Sequence, residues 1–97
     1  MRSILWSEPS KFDYWDNIDY LQREWTLTEV YAFIDKTNEV LDLLAKENLT
    51  FQPTNYKDTF QVPIIKQITL YYHINQNKDI ELLRFWNNYQ NPSKLRL

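Results

Sequence analysis

Residues 67–86 read QITLYYHINQNKDIELLRFW, and this stretch decides the fold. Residues 67–74 and 79–86 are rich in β-branched, leucine and aromatic side chains, and the polar segment Asn75–Lys78 separates them. Two such runs around a short segment of turn-forming residues are typical of an antiparallel β-hairpin. The stretch therefore predicts two neighbouring strands, over residues 67–74 and 79–86, joined by a tight turn.

The flanking stretches predict two further strands. Residues 60–65 have the pattern of a strand, in which Pro63 indicates an edge position or a bulge because proline cannot donate a ladder hydrogen bond. The short apolar stretch at residues 2–6 predicts a strand near the N-terminus. Residues 48–58 are rich in Asn, Thr, Pro and Asp, so we expect them to form a loop.

The first of two predicted helices covers residues 9–24. Ser7 is suited to be its N-cap, and Pro9 falls in the first turn, where its missing N–H costs nothing. Apolar residues recur every three to four positions, and this spacing predicts that Trp15 and Trp25 lie in the core. The same period places the acidic residues on the solvated side of the helix: Asp13, Asp16, Asp19 and Glu24.

The second predicted helix covers residues 27–47. Thr26 and Glu29 have the spacing of a capping box, which marks a helix start. A regular stripe then follows: Val30, Phe33, Ile34, Thr37, Leu41, Leu44 and Ala45. Because only two or three residues separate the two helices, we expect them to pack antiparallel as a helical hairpin.

The predicted element order is β-α-α-β-β-β, which indicates an α+β fold. The helical hairpin should pack on one face of a twisted, mainly antiparallel four-stranded sheet, because helices cannot bury their apolar stripes alone. The other face of the sheet is then left for solvent or a ligand. A length of 97 residues predicts a single domain over residues 1–97.

The composition excludes several classes of function. The chain has no cysteine, so disulfides, thiolate metal sites and a cysteine nucleophile are excluded. It has no glycine, which excludes the Gly-rich loops of P-loop and dinucleotide-binding proteins. No apolar run is long enough to span a membrane, and the N-terminal apolar patch is too short for a signal peptide. We therefore expect a cytoplasmic protein that uses no metal or small-molecule cofactor.

Charge is distributed unevenly along the chain. Residues 1–50 hold five basic and ten acidic side chains, whereas residues 51–97 hold six basic and three acidic ones. A basic C-terminal half is typical of a protein that meets a polyanion or an acidic partner. Solvated acidic helices in the N-terminal half give the same asymmetry without any partner, so charge alone leaves both interpretations open.

Three stretches in this order resemble the RelE/ParE toxin superfamily over almost the whole chain. They are ILWS at residues 4–7 followed by NIDYL at 17–21 and Trp25, the aromatic strand at 68–74, and IELLRFW at 80–86 followed by Asn91-Pro92. The resemblance implies a bacterial toxin of a type II toxin–antitoxin pair, which inhibits growth, serves plasmid stabilisation and is held inactive by a cognate antitoxin. ParE-like members of the superfamily bind DNA gyrase, and RelE-like members cleave messenger RNA on the ribosome.

The resemblance also implies candidate catalytic residues. Arg84 matches the last-strand arginine of the superfamily, and Tyr89 lies near the C-terminal catalytic tyrosine of RelE-like toxins. A metal-free ribonuclease needs a base and several cations on one surface, so the candidate set is Arg84, Tyr89 and Lys66, with His73 as a weaker member. RelE-like sites carry more cations on the central strands, whereas residues 61–77 hold only one lysine and no arginine. This departure favours a ParE-like binding protein.

A second set of residues is predicted to contact the target or the antitoxin. It consists of Tyr71, Arg84 and Trp86 on the last two strands, with Lys94 and Arg96 in the basic tail. Aromatic side chains can stack on bases, but Tyr71 and Trp86, like Tyr72, are also suited to core packing. His73 is likewise suited to a structural role.

Alternation along the last strand bears on the role of Arg84. Strict alternation assigns Ile80, Leu82, Arg84 and Trp86 to one face of the sheet and Glu81, Leu83 and Phe85 to the other. Both faces are then largely apolar, as expected if helices cover one and a partner covers the other. Arg84 can contact a target or an antitoxin, or it can instead pair with Glu81 as a structural group.

The sequence leaves three functions open. The favoured one is a ParE-like toxin that binds a target such as DNA gyrase and is neutralised by an antitoxin. The second is a ribosome-dependent messenger RNA endonuclease of the RelE type. The third is an inactive relative that retains only antitoxin binding or transcriptional co-repression.

Overall fold

The computed structural model describes residues 1–46 and 49–97. Its elements are β1 (Ile4–Trp6), α1 (Glu8–Glu24), α2 (Leu27–Lys46), β2 (Gln52–Pro53), β3 (Thr59–Ile65), β4 (Ile68–Ile74), β5 (Ile80–Asn87) and a 3₁₀ turn (Pro92–Lys94). The predicted α+β order, with one strand, two helices and then the remaining strands, is confirmed. The predicted last residue of the second helix, Glu47, and the first of the predicted loop, Asn48, lie outside the described residues.

The sheet has five strands in the order β1-β5-β4-β3-β2, not the four predicted. The additional strand is β2, which pairs antiparallel with Gln61 and Phe60 of β3 inside the stretch predicted as a loop. Two residues are too short for alternation to reveal a strand. The sheet is mixed, because β1 runs parallel to β5 while the other neighbours are antiparallel.

Local sequence explains where both helices begin. The Ser7 hydroxyl accepts the Ser10 N–H at 3.1 Å, as predicted for the N-cap of α1. At the start of α2, the Thr26 hydroxyl accepts the Thr28 N–H at 3.2 Å and donates to the Glu29 carboxylate. Thr26 and Glu29 therefore interact at this helix start, as the capping-box spacing indicated.

Three of the four buried residues of α1 are polar, and two of its aromatic residues face solvent. The buried residues are Ser10, Asp13, Asn17 and Leu21, whereas Phe12 and Trp15 are 70% and 66% exposed. Trp25, just after the helix, is also exposed. The predictions that Trp15 and Trp25 lie in the core and that Asp13 is solvated are therefore wrong. Asp16, Asp19 and Glu24 are exposed, as predicted.

The apolar core lies between the helices and one face of the sheet. Its α2 contribution includes Val30, Phe33, Val40 and Leu44, which confirms the second helix as an amphipathic element. On the sheet side, the Phe85 ring contacts the rings of Trp6, Tyr14 and Phe33, with centroids between 5.5 and 5.8 Å apart. Aromatic clustering of this kind lets a small protein bury a large apolar area.

A β-bulge in β5 changes which residues share a face. Leu82 pairs with Tyr72 and Arg84 pairs with Tyr71, so Leu83 is the additional residue. Before the bulge Leu82 points to the core, and after it Phe85 does; both are buried. Arg84 therefore does not share a face with Leu82, and strict alternation along β5 was the wrong assumption. A second register shift, between Pro63 and Ile65 of β3, confirms the bulge that Pro63 indicated.

The buried Tyr72 should make stability fall at alkaline pH. Its hydroxyl accepts the Phe51 N–H at 3.0 Å. Burial raises the pKa of Tyr72 above the ordinary value of 10.0, although the Phe51 hydrogen bond and the Arg2 charge act in the opposite direction. The unfolded chain then releases this proton at lower pH than the folded chain. Stability is therefore complete below pH 10 and falls as the pH rises through the folded-state pKa, by up to about 1.4 kcal/mol per pH unit.

Urea unfolding between about pH 8 and pH 11 tests this dependence. Tyr72→Phe should lose about 1 kcal/mol at neutral pH, because the Phe51 N–H is left without its acceptor, and should show a smaller alkaline slope than the parent chain. Burial also raises the pKa values of Tyr14 and Tyr71, so the stability of the variant should still fall somewhat with rising pH. An alkaline slope unchanged by Tyr72→Phe would contradict the assignment.

The described residues contain neither a helix that could span a membrane nor a group of metal-ligating side chains. Neither helix of residues 1–46 is long and apolar enough to cross a membrane, and no helix in the described C-terminal part is either. Among the same residues, no three histidine or carboxylate side chains are grouped as metal ligands would be.

Candidate functional site

Side chains of α1 satisfy the free edge of β5. Strand β1 pairs only with residues 80–82, so the rest of β5 has no strand on that side. The Ser7 hydroxyl donates to the Leu83 carbonyl at 3.3 Å, and the Asn17 amide donates to the Phe85 carbonyl at 2.9 Å. The Asp13 carboxylate accepts the Phe85 N–H at 3.1 Å. Buried backbone groups need such partners, which explains why polar side chains occupy buried positions of α1.

Asp13 also forms a bidentate ion pair with Arg84. Arg84 Nε and Nη2 donate to the two carboxylate oxygens at 2.6 and 3.0 Å, and the side chains are 26% and 9% exposed for Arg84 and Asp13. The hydrogen bond to Asp13 raises the pKa of Arg84, against the effect of burial and together with the Asp13 charge. The alternative in which Arg84 pairs with Glu81 is therefore wrong; Glu81 instead accepts a hydrogen bond from Asn75 at 3.1 Å.

Three of the predicted partner-binding residues meet on the sheet face opposite the helices. Tyr71 and Arg84 are cross-strand neighbours, and Trp86 pairs with Thr69 on the same face. The Arg84 guanidinium carbon lies 5.9 Å from the centre of the Trp86 ring. Trp86 is buried but does not belong to the core cluster, and Tyr71 is partly buried. We call Tyr71, Arg84 and Trp86 the open-face site.

The other two candidate catalytic residues meet at the end of the sheet where β3 turns into β4. Lys66 Nζ lies 5.9 Å from the Trp25 ring centre, and the Tyr89 ring lies 6.1 Å from it. The Trp25 indole N–H donates to the Tyr20 hydroxyl at 3.2 Å. We call Trp25, Lys66 and Tyr89 the end cluster. Its members are exposed, so this ring and cation surface faces solvent.

Asn88 holds the end cluster in place. Its N–H donates to the Gln67 carbonyl at 2.7 Å, and its side-chain amide donates to the Lys66 carbonyl at 3.1 Å. The Thr69 hydroxyl donates to the Asn88 side-chain oxygen at 3.0 Å. These bonds tie the segment before Tyr89 to the β3–β4 turn, so the positions of Lys66 and Tyr89 are coupled.

The remaining candidates lie apart from both clusters. His73 lines a cavity of about 450 Å³ with Lys57 and Lys78, and its ring nitrogen is 3.5 Å from the Thr59 hydroxyl. Lys94 lies in the 3₁₀ turn, and the Arg96 guanidinium donates to the Ser93 and Leu95 carbonyls at 2.7 and 3.0 Å. Across the described residues, no hydrogen bond or ion pair connects Arg84 with Lys66, Tyr89 or His73.

The candidate catalytic residues do not form one set of cations that converge on a single point. Phosphodiester cleavage needs a base and unpaired cations that converge on one phosphate. The Arg84 charge is instead compensated by Asp13, and Lys66 lies over an aromatic ring. In the end cluster the exposed Trp25 and Tyr89 rings lie near Lys66, an arrangement suited to hold a partner, since Trp, Tyr and Arg supply most of the binding energy at protein interfaces.

Sequence reasoning missed Asp13, Asn17 and Trp25 as members of these sites. A signal for the first two was present, because Ser10, Asp13 and Asn17 recur at helical spacing and form a polar stripe. Trp25 carried no such signal. Its partners Lys66 and Tyr89 are distant in sequence, and only the fold brings them together.

Comparison with solved structures identifies the fold. A chain of the chromosomal ParDE toxin–antitoxin system from P. aeruginosa matches with a TM-score of 0.72 at 13% identity, over 90% of this chain and 96% of that one. The YoeB/ParE toxin from Agrobacterium tumefaciens matches with a TM-score of 0.59 at 14% identity, over 90% and 99%. The YoeB–YefM complex from Staphylococcus aureus matches with a TM-score of 0.58 at 19% identity, over 92% and 99%.

The sequence itself matches no protein-family model and no curated protein. At identities of 13 to 19%, the likeness to these structures is a likeness of fold. The chain has the α+β fold of ParE and YoeB toxins, and the fold implied by the resemblance to the RelE/ParE superfamily is confirmed. ParE and YoeB structures both match over nine-tenths or more of the chain, so the fold does not distinguish between these two kinds of toxin.

Proposed function

We propose that residues 1–97 form a single toxin domain of a bacterial type II toxin–antitoxin pair, of the ParE-like branch. The toxin inhibits growth in the cytoplasm by binding a target such as DNA gyrase, and a cognate antitoxin neutralises it. The observation that carries this proposal is the open-face site on a toxin fold. There, Arg84 lies between Tyr71 and Trp86 on the face that the helices leave uncovered.

The pairing of Arg84 and its separation from the other candidate catalytic residues support target binding rather than RNA cleavage. Asp13 compensates the charge of Arg84, and the two remaining candidates meet at a different end of the sheet. An arginine that is held rigidly by a carboxylate loses little conformational entropy when it donates its remaining N–H groups to a partner. Lys94 and Arg96 in the tail would add long-range attraction to an acidic target or antitoxin.

Two assays with the purified chain test the proposed target. We expect the protein to inhibit DNA supercoiling by gyrase and to leave cell-free translation and its messages intact. Arg84→Met should weaken the inhibition, whereas Lys36→Gln, on the exposed side of α2, should not change it. Arrest of translation with cut messages, together with unchanged supercoiling, would contradict the gyrase proposal.

The second candidate is the messenger RNA endonuclease, and the end cluster is the observation that favours it. Trp25 brings Lys66 and Tyr89 to one solvent-exposed surface, where an aromatic ring can stack on a base and a lysine can neutralise a phosphate. Under this alternative, Tyr89→Phe and Lys66→Gln would each abolish message cleavage on ribosomes. Under the binding proposal, both variants retain growth inhibition.

Expression in the host distinguishes both toxic functions from the function of an inactive relative. Induced synthesis of the chain alone should arrest growth, and co-expression of the cognate antitoxin should restore it. A short acidic protein encoded directly upstream is the expected antitoxin. Normal growth without the antitoxin, at confirmed expression of folded protein, would leave only antitoxin binding or co-repression.

A further inference from the structure

The proposed target site does not use the cavity at the turn between β4 and β5. This cavity of about 450 Å³ lies between that turn and the segment just before β3. Three basic residues line it, Lys57, His73 and Lys78, together with Asp58 and Gln76. We call it the turn cavity. It lies at the far end of β4 from the end cluster, so the two sites are separate.

Hydrogen bonds fix the walls of the turn cavity. The Ile74 N–H donates to the Asp58 carbonyl at 3.0 Å, which joins the segment before β3 to the end of β4. Within the turn, the Asn75 side-chain oxygen accepts the N–H groups of Asn77 and Asp79 at 2.9 and 3.0 Å. The cavity is therefore formed in advance, and a ligand does not have to order its walls.

Lys78 has a backbone conformation that lysine does not favour. Its φ is 67°, in the left-handed region, where a hairpin turn usually carries glycine or asparagine. Asp58 has a φ of 54°, but aspartate tolerates this region better. Asparagine occurs at two other positions of the same turn, Asn75 and Asn77. A lysine at the strained position therefore points to a use for its side chain.

The charge of the turn cavity favours an anion. Within residues 1–46 and 49–97, Lys57 and Lys78 form no ion pair, and Asp58 is the acidic residue that lines the cavity with them. Asp79 and Glu81 accept hydrogen bonds from a backbone N–H and a side-chain amide, at 3.2 and 3.1 Å. Two ammonium groups and one carboxylate leave the cavity with a net positive charge.

His73 and Gln76 add hydrogen-bonding groups to the turn cavity. The Thr59 hydroxyl lies 3.5 Å from Nδ1 of His73 and donates to the Lys57 carbonyl at 3.0 Å, so it can accept the His73 N–H. The other ring nitrogen of His73 and the Gln76 amide have no protein partner in the described part of the chain. Both groups are therefore available to a ligand.

The chemistry of these groups suits a phosphorylated sugar. Ammonium groups and a protonated imidazole neutralise phosphate oxygens, and a carboxylate is a common acceptor for ribose hydroxyls. The cavity volume is in the range of small-molecule sites and is larger than a phosphate group alone needs. A continuous nucleic-acid backbone fits less well, because Asp58, Asp79 and Glu81 would repel its successive phosphates.

We propose that the turn cavity binds a sugar phosphate, either free or as part of a mononucleotide. Lys57 and Lys78 bind the phosphate, Asp58 accepts the sugar hydroxyls, and His73 and Gln76 supply further hydrogen bonds. For a ligand such as ribose 5-phosphate, with about 14 non-hydrogen atoms, an ordinary binding energy per atom gives a dissociation constant of about 1 mM. Binding should weaken with salt because both lysines are exposed.

NMR titration of the isotope-labelled full chain with ribose 5-phosphate tests the site. Amide signals of residues 57–58 and 73–78 should shift and saturate, whereas ribose should leave them unchanged at about 20 mM. Inorganic phosphate should bind about fivefold more weakly, because it lacks the hydroxyl contacts. Adenosine monophosphate distinguishes the two sources: tighter binding than ribose 5-phosphate indicates a mononucleotide, and equal or weaker binding indicates a free sugar phosphate.

A double variant tests the two lysines. Lys57→Gln with Lys78→Asn should weaken binding of ribose 5-phosphate at least about tenfold. Asparagine suits the left-handed backbone, so the variant should unfold at a urea concentration no lower than the parent chain, and the loss of binding cannot come from misfolding. Lys36→Gln with Lys46→Gln, on α2, changes the net charge equally and should bind like the parent.

Asp58→Asn tests the position of the sugar. Asparagine also tolerates the φ of this residue, so the backbone should be retained. The variant should lose the preference for ribose 5-phosphate over inorganic phosphate, because an amide oxygen is a weaker acceptor than a carboxylate and no longer repels phosphate.

Three results would overturn the proposal. They are the absence of shifts with about 20 mM ribose 5-phosphate, unchanged binding by the Lys57 and Lys78 variant, and tighter binding of a short RNA than of adenosine monophosphate through the same residues. The last result would make the turn cavity a nucleic-acid contact. The growth and supercoiling assays do not depend on these titrations, so failure of the sugar-phosphate site leaves the proposed function standing.

Discussion

Asp13→Ala is expected to lower the free energy of unfolding by about 3 kcal/mol, a large part of the total stability of a small domain. Two losses add in this variant. The mostly buried Arg84 guanidinium loses its bidentate partner, and the buried Phe85 N–H loses its acceptor. Removing one member of a buried pair is costly because the remaining group cannot be solvated again.

Chemical denaturation of three variants checks this prediction. Asp16→Ala removes an exposed carboxylate one turn further along α1 and should stay within about 0.5 kcal/mol of the parent chain. Asp13→Asn keeps an oxygen for the Phe85 N–H but loses the charge, so its free energy of unfolding should lie between those of Asp13→Ala and Asp16→Ala. Equal stability of Asp13→Ala and Asp16→Ala would mean that the contacts of Asp13 add nothing.

Sequence patterns predicted the elements of this fold well because their signals are local. The β4–β5 hairpin follows from two apolar runs around Asn75–Lys78, and α2 follows from its capping residues and its apolar stripe. Pro63 marked a bulge because a missing N–H interrupts a ladder wherever it occurs. Each of these features depends on residues that are neighbours in the chain.

The orientation of α1 could not be predicted in this way. A helix is expected to turn its rings inward, and α1 does so with Tyr14, which contacts Phe33 and Phe85. The helix also faces the bare edge of β5, whose N–H and carbonyl groups need polar partners. The side of the helix carrying Ser10, Asp13 and Asn17 therefore turns inward, and Phe12 and Trp15 remain in solvent.

Only part of the candidate site could be predicted, because sequence patterns reveal contacts between neighbouring elements but not between distant ones. Arg84, Tyr71 and Trp86 come together because β4 and β5 are consecutive strands. Asp13, the partner of Arg84, is 71 residues away, and the polar stripe that contains Asp13 does not indicate which residue it pairs with. The bulge at Leu83 also lies beyond any local pattern, although it decides that Arg84 leaves the core face.

Arg84→Met is expected to reduce function more than stability. Methionine keeps most of the apolar stem, and Asp13 keeps the Phe85 N–H as a donor, so we expect a loss of about 1 to 2 kcal/mol in unfolding free energy. If Arg84 is a central contact of the open-face site, its removal should cost about 2 to 3 kcal/mol of target binding, which is about 30- to 150-fold in affinity. Growth arrest on induced expression should fall accordingly.

A double variant separates the two roles of Arg84. In Asp13→Asn with Arg84→Met, no uncompensated charge remains beside β5, and the Asn oxygen can still accept the Phe85 N–H. Neutral replacement of a buried ion pair usually leaves stability close to that of the parent protein, so this variant should unfold near the parent's denaturant midpoint. It nevertheless lacks the cation between Tyr71 and Trp86, and it should not arrest growth. If growth arrest returns together with stability, Arg84 only holds α1 to the sheet, and the target contact lies elsewhere on the chain.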